Sequence, residues 1–88
     1  MPRYLVLLSP KAPEEVVARY RPAHLDHIRS LIRQGKVIIA GRFRDGTGGF
    51  FVIEASGEEE VNSIIAQDPY KKADLREFTV KELEEIKA

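Results

Sequence analysis

Two histidines three residues apart, His24 and His27, stand in "RPAHLDHIRSLI" (residues 21–32), where apolar residues recur three and four apart as on one face of a helix. At about 100° per residue, His24 falls inside a stripe with Val17, Tyr20, Arg21, Ile28, Leu31 and Ile32, and His27 falls at its border. Three chemistries are open to a histidine placed there. It can be a core residue satisfied by a backbone carbonyl. It can share a metal with His27, although zinc helices space their histidines at i and i+4 and the chain has no cysteine to complete a ligand set. It can also be a general acid or base, which needs a carboxylate to fix its tautomer and raise its basicity. "AQDPYK" (66–71) supplies a candidate in Asp68, held out of helical conformation by Pro69. An aspartate in that position can instead bond its own backbone in a turn. Next to it, Tyr70 is placed either to protonate a leaving group or substrate oxygen, or to pack against a second chain.

These side chains depend on the elements that carry them. "RYLVLLS" (3–9) reads as a strand bounded by Pro10 and Pro13. Residues 14–35 read as a helix, with Glu14 and Glu15 in the first turn, Arg33 in the last and Gly35 as the stop. Pro22 lies within it, and a proline there either kinks the helix or opens a new segment. "KVIIAGRF" (36–43) and "GFFVIEA" (49–55) are strands joined by a glycine-bearing hairpin loop. Residues 57–68 form a second helix, with Ser56 as the expected cap, Glu59 as its reciprocal partner and Pro69 as the terminator. Residues 73–83 are a last strand, followed by a charged tail. "DGTGG" (45–49) leads into a strand and lacks the Lys-Ser/Thr and helix of a phosphate loop, so it is a turn.

Strand–helix–strand–strand–helix–strand is the order of a ferredoxin-like α+β fold: one four-stranded antiparallel sheet with both helices on one face. "YLVLL", "VIIA" and "FFVI" are apolar on both strand faces, and two helices cover only one of them. A large bare apolar face is rare on a monomer, so a homodimer packed sheet against sheet is expected.

With 88 residues the chain makes a single domain, residues 1–88, with a thin core. The absence of cysteine excludes disulfides and fits a reducing cytoplasm. No secretory signal is visible, and no segment approaches the roughly 20 apolar residues of a membrane span. The formal net charge is zero, yet residues 1–44 hold nine Lys/Arg against three Asp/Glu, and residues 45–88 hold five against eleven. The basic residues are dispersed without interleaved aromatics, which speaks for complementarity within the fold and against nucleic-acid binding.

"RPAHLDHI", "LIRQGKVIIAG" and "DPY", in that order and separation, resemble the YCII-related (YciI-like) family of the dimeric α+β barrel superfamily, over nearly the whole chain. The resemblance implies a sheet-to-sheet dimer and a His/Asp pair in a candidate active site, which by position are His24 and Asp68. It also points towards breakdown of substituted aromatic rings, such as loss of chloride from a chlorinated hydroxyquinol, with muconolactone isomerases in the wider superfamily. The compact hairpin "RFRDGTGG" departs from relatives with longer loops, and Arg42 stands where some relatives have a proline; it is either an anion contact or a solvated side chain.

The expectation is a cofactor-independent, metal-free enzyme of proton-transfer chemistry, an isomerase or a lyase of dehydrohalogenase type. In it His24 moves the proton, Asp68 orients it, and Arg42 and Tyr70 contact a small ligand. The alternatives are a non-catalytic dimeric module that binds a small molecule and, further off, a cofactor-free monooxygenase-like protein.

Overall fold

Alternation in "RYLVLLSP" sets the inside of strand β1 (Arg3–Pro10): Tyr4, Val6 and Leu8 are buried, while Leu5 and Leu7 on the other face are half-buried. The computed structural model describes all residues, 1–88. After β1 come helix α1 (Glu14–Arg33), strands β2 (Val37–Arg42) and β3 (Gly49–Glu54), helix α2 (Glu58–Ala66), a short helix α3 (Pro69–Lys72) and strand β4 (Arg76–Leu83). The strands form one sheet in the order β2-β3-β1-β4, antiparallel at each pairing, with a bulge between Val37 and Ile39.

Val17, Ile28 and Leu31 of α1 and Val61 and Ile65 of α2 share one core with Tyr4, Val6, Leu8, Val37, Phe51 and Ile53. These sheet residues all belong to one face, so both helices cover that face, as the sequence predicts. Burying each large aliphatic side chain there contributes about 1.5–3 kcal/mol. Tyr20 and Ile32, placed in the apolar stripe by their spacing, remain 41% and 46% exposed because they lie at its two edges.

The opposite face is apolar over three strands. Leu5 faces Val52 and Val52 faces Ile39 in register, with Leu7 opposite Phe50 alongside. Ile38, Ile39 and Phe43 are exposed, and the Phe43 ring stacks on Phe50. On β4 the same face carries Glu77, Thr79 and Lys81, so the bare patch ends at that edge.

Helix α1 closes as a Schellman motif: Lys36 N–H bonds the Leu31 carbonyl, Gly35 N–H bonds that of Ile32, and Gly35 takes φ +75°. Pro22 neither ends the helix nor divides it. The start of α2 differs from expectation by one residue. Its N-cap is Gly57, which puts Glu60 rather than Glu59 at the third helical position. Glu60 therefore accepts from the Ser56 backbone N–H at 2.7 Å and from its hydroxyl at 3.0 Å.

A larger departure follows. Pro69 does not terminate α2, which has already ended at Ala66; it occupies the first position of α3, where its missing N–H costs nothing. As a result β4 begins at Arg76 and not at residue 73.

Candidate functional site

Asp68 is the N-cap of α3 and the only buried charged residue of the chain. Its Oδ1 accepts from the Tyr70 backbone N–H at 2.9 Å, the turn-aspartate role. The same carboxylate faces His24 on α1, with Nδ1 2.8 Å from Oδ1 and 3.0 Å from Oδ2. The turn contact and the imidazole contact coexist, because a carboxylate has lone pairs enough for a backbone donor and an imidazole.

The contact orients the ring. A carboxylate only accepts, so Nδ1 carries a proton, and in the neutral ring the lone pair is then on Nε2. The His24 side chain is 12% exposed, and no sealed polar atom in the chain lacks a partner, so Nε2 retains access to the outside. A second restraint comes from Tyr70, whose buried ring lies parallel to the imidazole with centroids 3.9 Å apart. His24 is thus fixed edge-on by Asp68 and face-on by Tyr70, with one nitrogen free.

Around these rings lies a charged group outside the site residues expected from the sequence. Glu14 and Arg21 of α1 are ion-paired, and Arg76 at the start of β4 reaches the other oxygen of Glu14 at 3.5 Å. Arg76 also sits with its guanidinium carbon 5.7 Å from the Tyr70 ring centroid. Burial pushes the Tyr70 hydroxyl above the usual tyrosine range, and the positive charges of Arg21 and Arg76 act against that rise. The hydrogen bond from Arg21 holds the Glu14 carboxyl below its ordinary range. Two signals were present in the sequence. Glu14, Arg21 and His24 fall on one side of a helix, and Arg76 alternates with Phe78 and Val80 on the inward side of its strand.

The remaining expected residues lie elsewhere. Arg42 is exposed at the end of β2, opposite Gly49, and forms no ion pair. His27 is half-buried, and no cluster of three or more His, Cys, Asp or Glu residues suited to a metal occurs. An open groove of about 450 Å³ lies between α2, α3 and β4, lined by Ile65, Lys71, Phe78 and their neighbours, and includes neither His24 nor Asp68. No helix is long and apolar enough to cross a membrane.

A model of the YCII-related domain matches residues 3–84. The uncharacterized protein YjpA of Bacillus subtilis is 30% identical over 79 residues, which is 90% of this chain and 93% of that protein. The "derivative of benzaldehyde biosynthesis cluster protein C" of Emericella nidulans is 34% identical over 77 residues, covering 73% of this chain and 79% of the other. Among solved structures, the 5-chloro-2-hydroxyhydroquinone dehydrochlorinase TftG of Burkholderia phenoliruptrix, in complex with 2,5-dihydroxybenzoquinone, superposes with a TM-score of 0.80. The two share 25% identity over 93% of both chains.

Proposed function

We propose that this chain, which belongs to the YCII-related family, is a cofactor-independent catalyst of proton transfer on a small, aromatic-derived molecule. The observation that carries this reading is the His24–Asp68 contact at 2.8 Å, with Nε2 left open. Nε2 takes a proton from a carbon or hydroxyl of the substrate, and Asp68 stabilises the imidazolium that forms. If the substrate bears a halide positioned to leave, the electron pair freed by deprotonation expels it, with net loss of hydrogen halide and no outside oxidant. If it bears none, the imidazolium returns the proton to another atom and the product is an isomer. A positioned acid or base contributes about 10²–10⁴-fold to such a step. Similarity to a dehydrochlorinase of the same fold supports the elimination form.

The same proposal includes the assembly. The apolar outer face of β1, β2 and β3 is covered by the sheet of a second copy, so that two single-domain chains work as a dimer. Leu5, Leu7, Ile39, Phe50 and Val52 supply the face, and contiguous patches of this kind are seldom left in water.

The test is incubation with chlorinated and unchlorinated hydroxyhydroquinones and with unsaturated lactones in deuterated buffer. Chloride release, isomer formation and solvent deuterium in recovered substrate are the readouts. At least one is expected for wild type and lost by about 10² or more in His24→Gln. Ligand binding without any of them leaves a non-catalytic binding module.

A further inference from the structure

Arg76 is a charged residue with only 10% of its side chain exposed, and its single ion-pair partner, Glu14, is itself 66% exposed. The contact is 3.5 Å, long for a charge-assisted hydrogen bond, which ordinarily measures about 2.7–2.9 Å. A guanidinium carries five N–H donors, and since no sealed polar atom in the chain lacks a partner, the donors of Arg76 not engaged by this one long contact remain reachable from outside. Arg21 binds the other oxygen of the same carboxylate. Glu14 thus bridges two guanidinium groups, and the trio keeps a net charge of +1. Arg76 is 5.7 Å from the Tyr70 ring, which in turn lies against the His24 imidazole.

Resting on the acid–base reading above, we propose that Arg76 and Arg21 form an oxyanion subsite beside His24, and that Glu14 occupies it until substrate arrives. The substrate class is then an enol, hydroxyquinone or phenol whose ionised oxygen is conjugated to the atom that gives up the proton. Deprotonation by His24 adds negative charge to that oxygen, and two guanidinium groups already in place stabilise it without reorganising. The ligand's oxygen and the Glu14 carboxylate compete for the same donors, so Glu14 sets a threshold against weak anions.

The probes are 2,5-dihydroxybenzoquinone, which is anionic near neutral pH, and 2,5-dimethoxybenzoquinone, which has the same ring and no ionisable oxygen. Binding is followed by equilibrium dialysis with visible absorbance. The anionic quinone is expected to bind about tenfold or more tightly than the dimethoxy compound, and Arg76→Gln to remove about that factor. Glu14→Gln, a change at an exposed side chain that leaves the core untouched, is expected to raise affinity for the anion severalfold. Equal binding of the two quinones, no binding of either, or a Glu14→Gln affinity at or below wild type overturns the subsite. Turnover of hydroxyhydroquinones that persists unchanged in Arg76→Gln also removes the subsite and leaves the acid–base reading standing. Anion binding governed by Arg76 and Glu14 in a protein with no turnover removes the acid–base reading instead.

Discussion

The imidazole of His24 lies flat on the phenol ring of Tyr70, with centroids 3.9 Å apart and ring planes within 8° of parallel. Tyr70 follows Asp68 by two residues on the first turn of α3, so one short helix supplies both the carboxylate that fixes the edge of the imidazole and the ring that fixes its face. Stacking of this kind adds about 0.5–1.5 kcal/mol beyond burial. Tyr70→Phe keeps the stack and is expected to unfold within about 1 kcal/mol of wild type, whereas Tyr70→Leu loses it and costs about 1–3 kcal/mol more. Urea denaturation followed by circular dichroism checks the order.

Val52 and Ile53 are neighbours on β3 with opposite surroundings: Ile53 is fully buried beneath the helices and Val52 faces outward between Leu5 and Ile39. Ile53→Ala is expected to cost about 2–5 kcal/mol through the cavity it leaves. Val52→Lys leaves the core intact and disrupts the proposed dimer. Light scattering should give about twice the 10.0 kDa chain mass for wild type and a lower mass, or unfolded chain, for Val52→Lys. A wild-type monomer at micromolar concentration contradicts the assembly.

Gly48 and Gly35 both have positive φ but differ in surroundings. A Cβ at Gly48, φ +110°, would stand 1.9 Å from the Leu8 carbonyl oxygen, while one at Gly35 meets nothing within 4 Å. Gly35→Ala is expected to cost about 1 kcal/mol from conformation alone. Gly48→Ala must also move the hairpin away from β1, so its loss should be clearly the larger of the two in the same denaturation assay.

Four carboxyls titrate below their ordinary values of 4.5 for Glu and 3.8 for Asp. Hydrogen bonds from Arg21 act on Glu14, from the Ser56 N–H on Glu60, from the Thr47 hydroxyl on Asp45 and from Lys11 on Asp74. A depressed folded-state value means that the contribution to stability is complete above the unfolded value and is lost as pH falls through the folded one. The urea midpoint should therefore hold above about pH 5 and decline below about pH 4, less steeply in Glu60→Gln. At the alkaline end the sign reverses. Burial raises Tyr4 and Tyr70 above 10.0, so their contribution is complete below that value and is lost as pH climbs through the folded-state values.

Much of this was legible in the chain, and the misses share a cause. The element order and the doubly apolar strands follow from period-two and period-3.6 patterning in "YLVLL", "FFVI" and "RPAHLDHI", which long elements preserve, whereas the approach of Asp68 to His24 rests mainly on the family resemblance. Helix α3 escaped notice because its four residues, "PYKK", are too few to show a period, and proline is as good a helix starter as a helix stopper. That single ambiguity moves the start of β4 from residue 73 to Arg76; the alternation with Phe78 and Val80 gives the side on which Arg76 lies, and the register with β1 places it opposite Pro10. Arg42 stands out only against relatives that have a proline there, a difference that says nothing about which way an edge strand turns its last side chain. Glu14 has the helix-dipole position that its place in the first turn predicts, and a tertiary partner in Arg76 as well.

The account turns on which nitrogen of His24 is free. Long-range proton–nitrogen correlation spectra of uniformly labelled protein, with His27→Gln to assign the two rings, report the tautomer of each neutral imidazole directly. Recorded at a pH where both rings are neutral, His24 is expected to show Nδ1 protonated and Nε2 with the shift of a bare ring nitrogen, and Asp68→Leu should abolish that preference. A His24 protonated at Nε2 in the wild type would mean that Asp68 does not accept from Nδ1, that no base faces the open side, and that the proton-transfer reading is wrong.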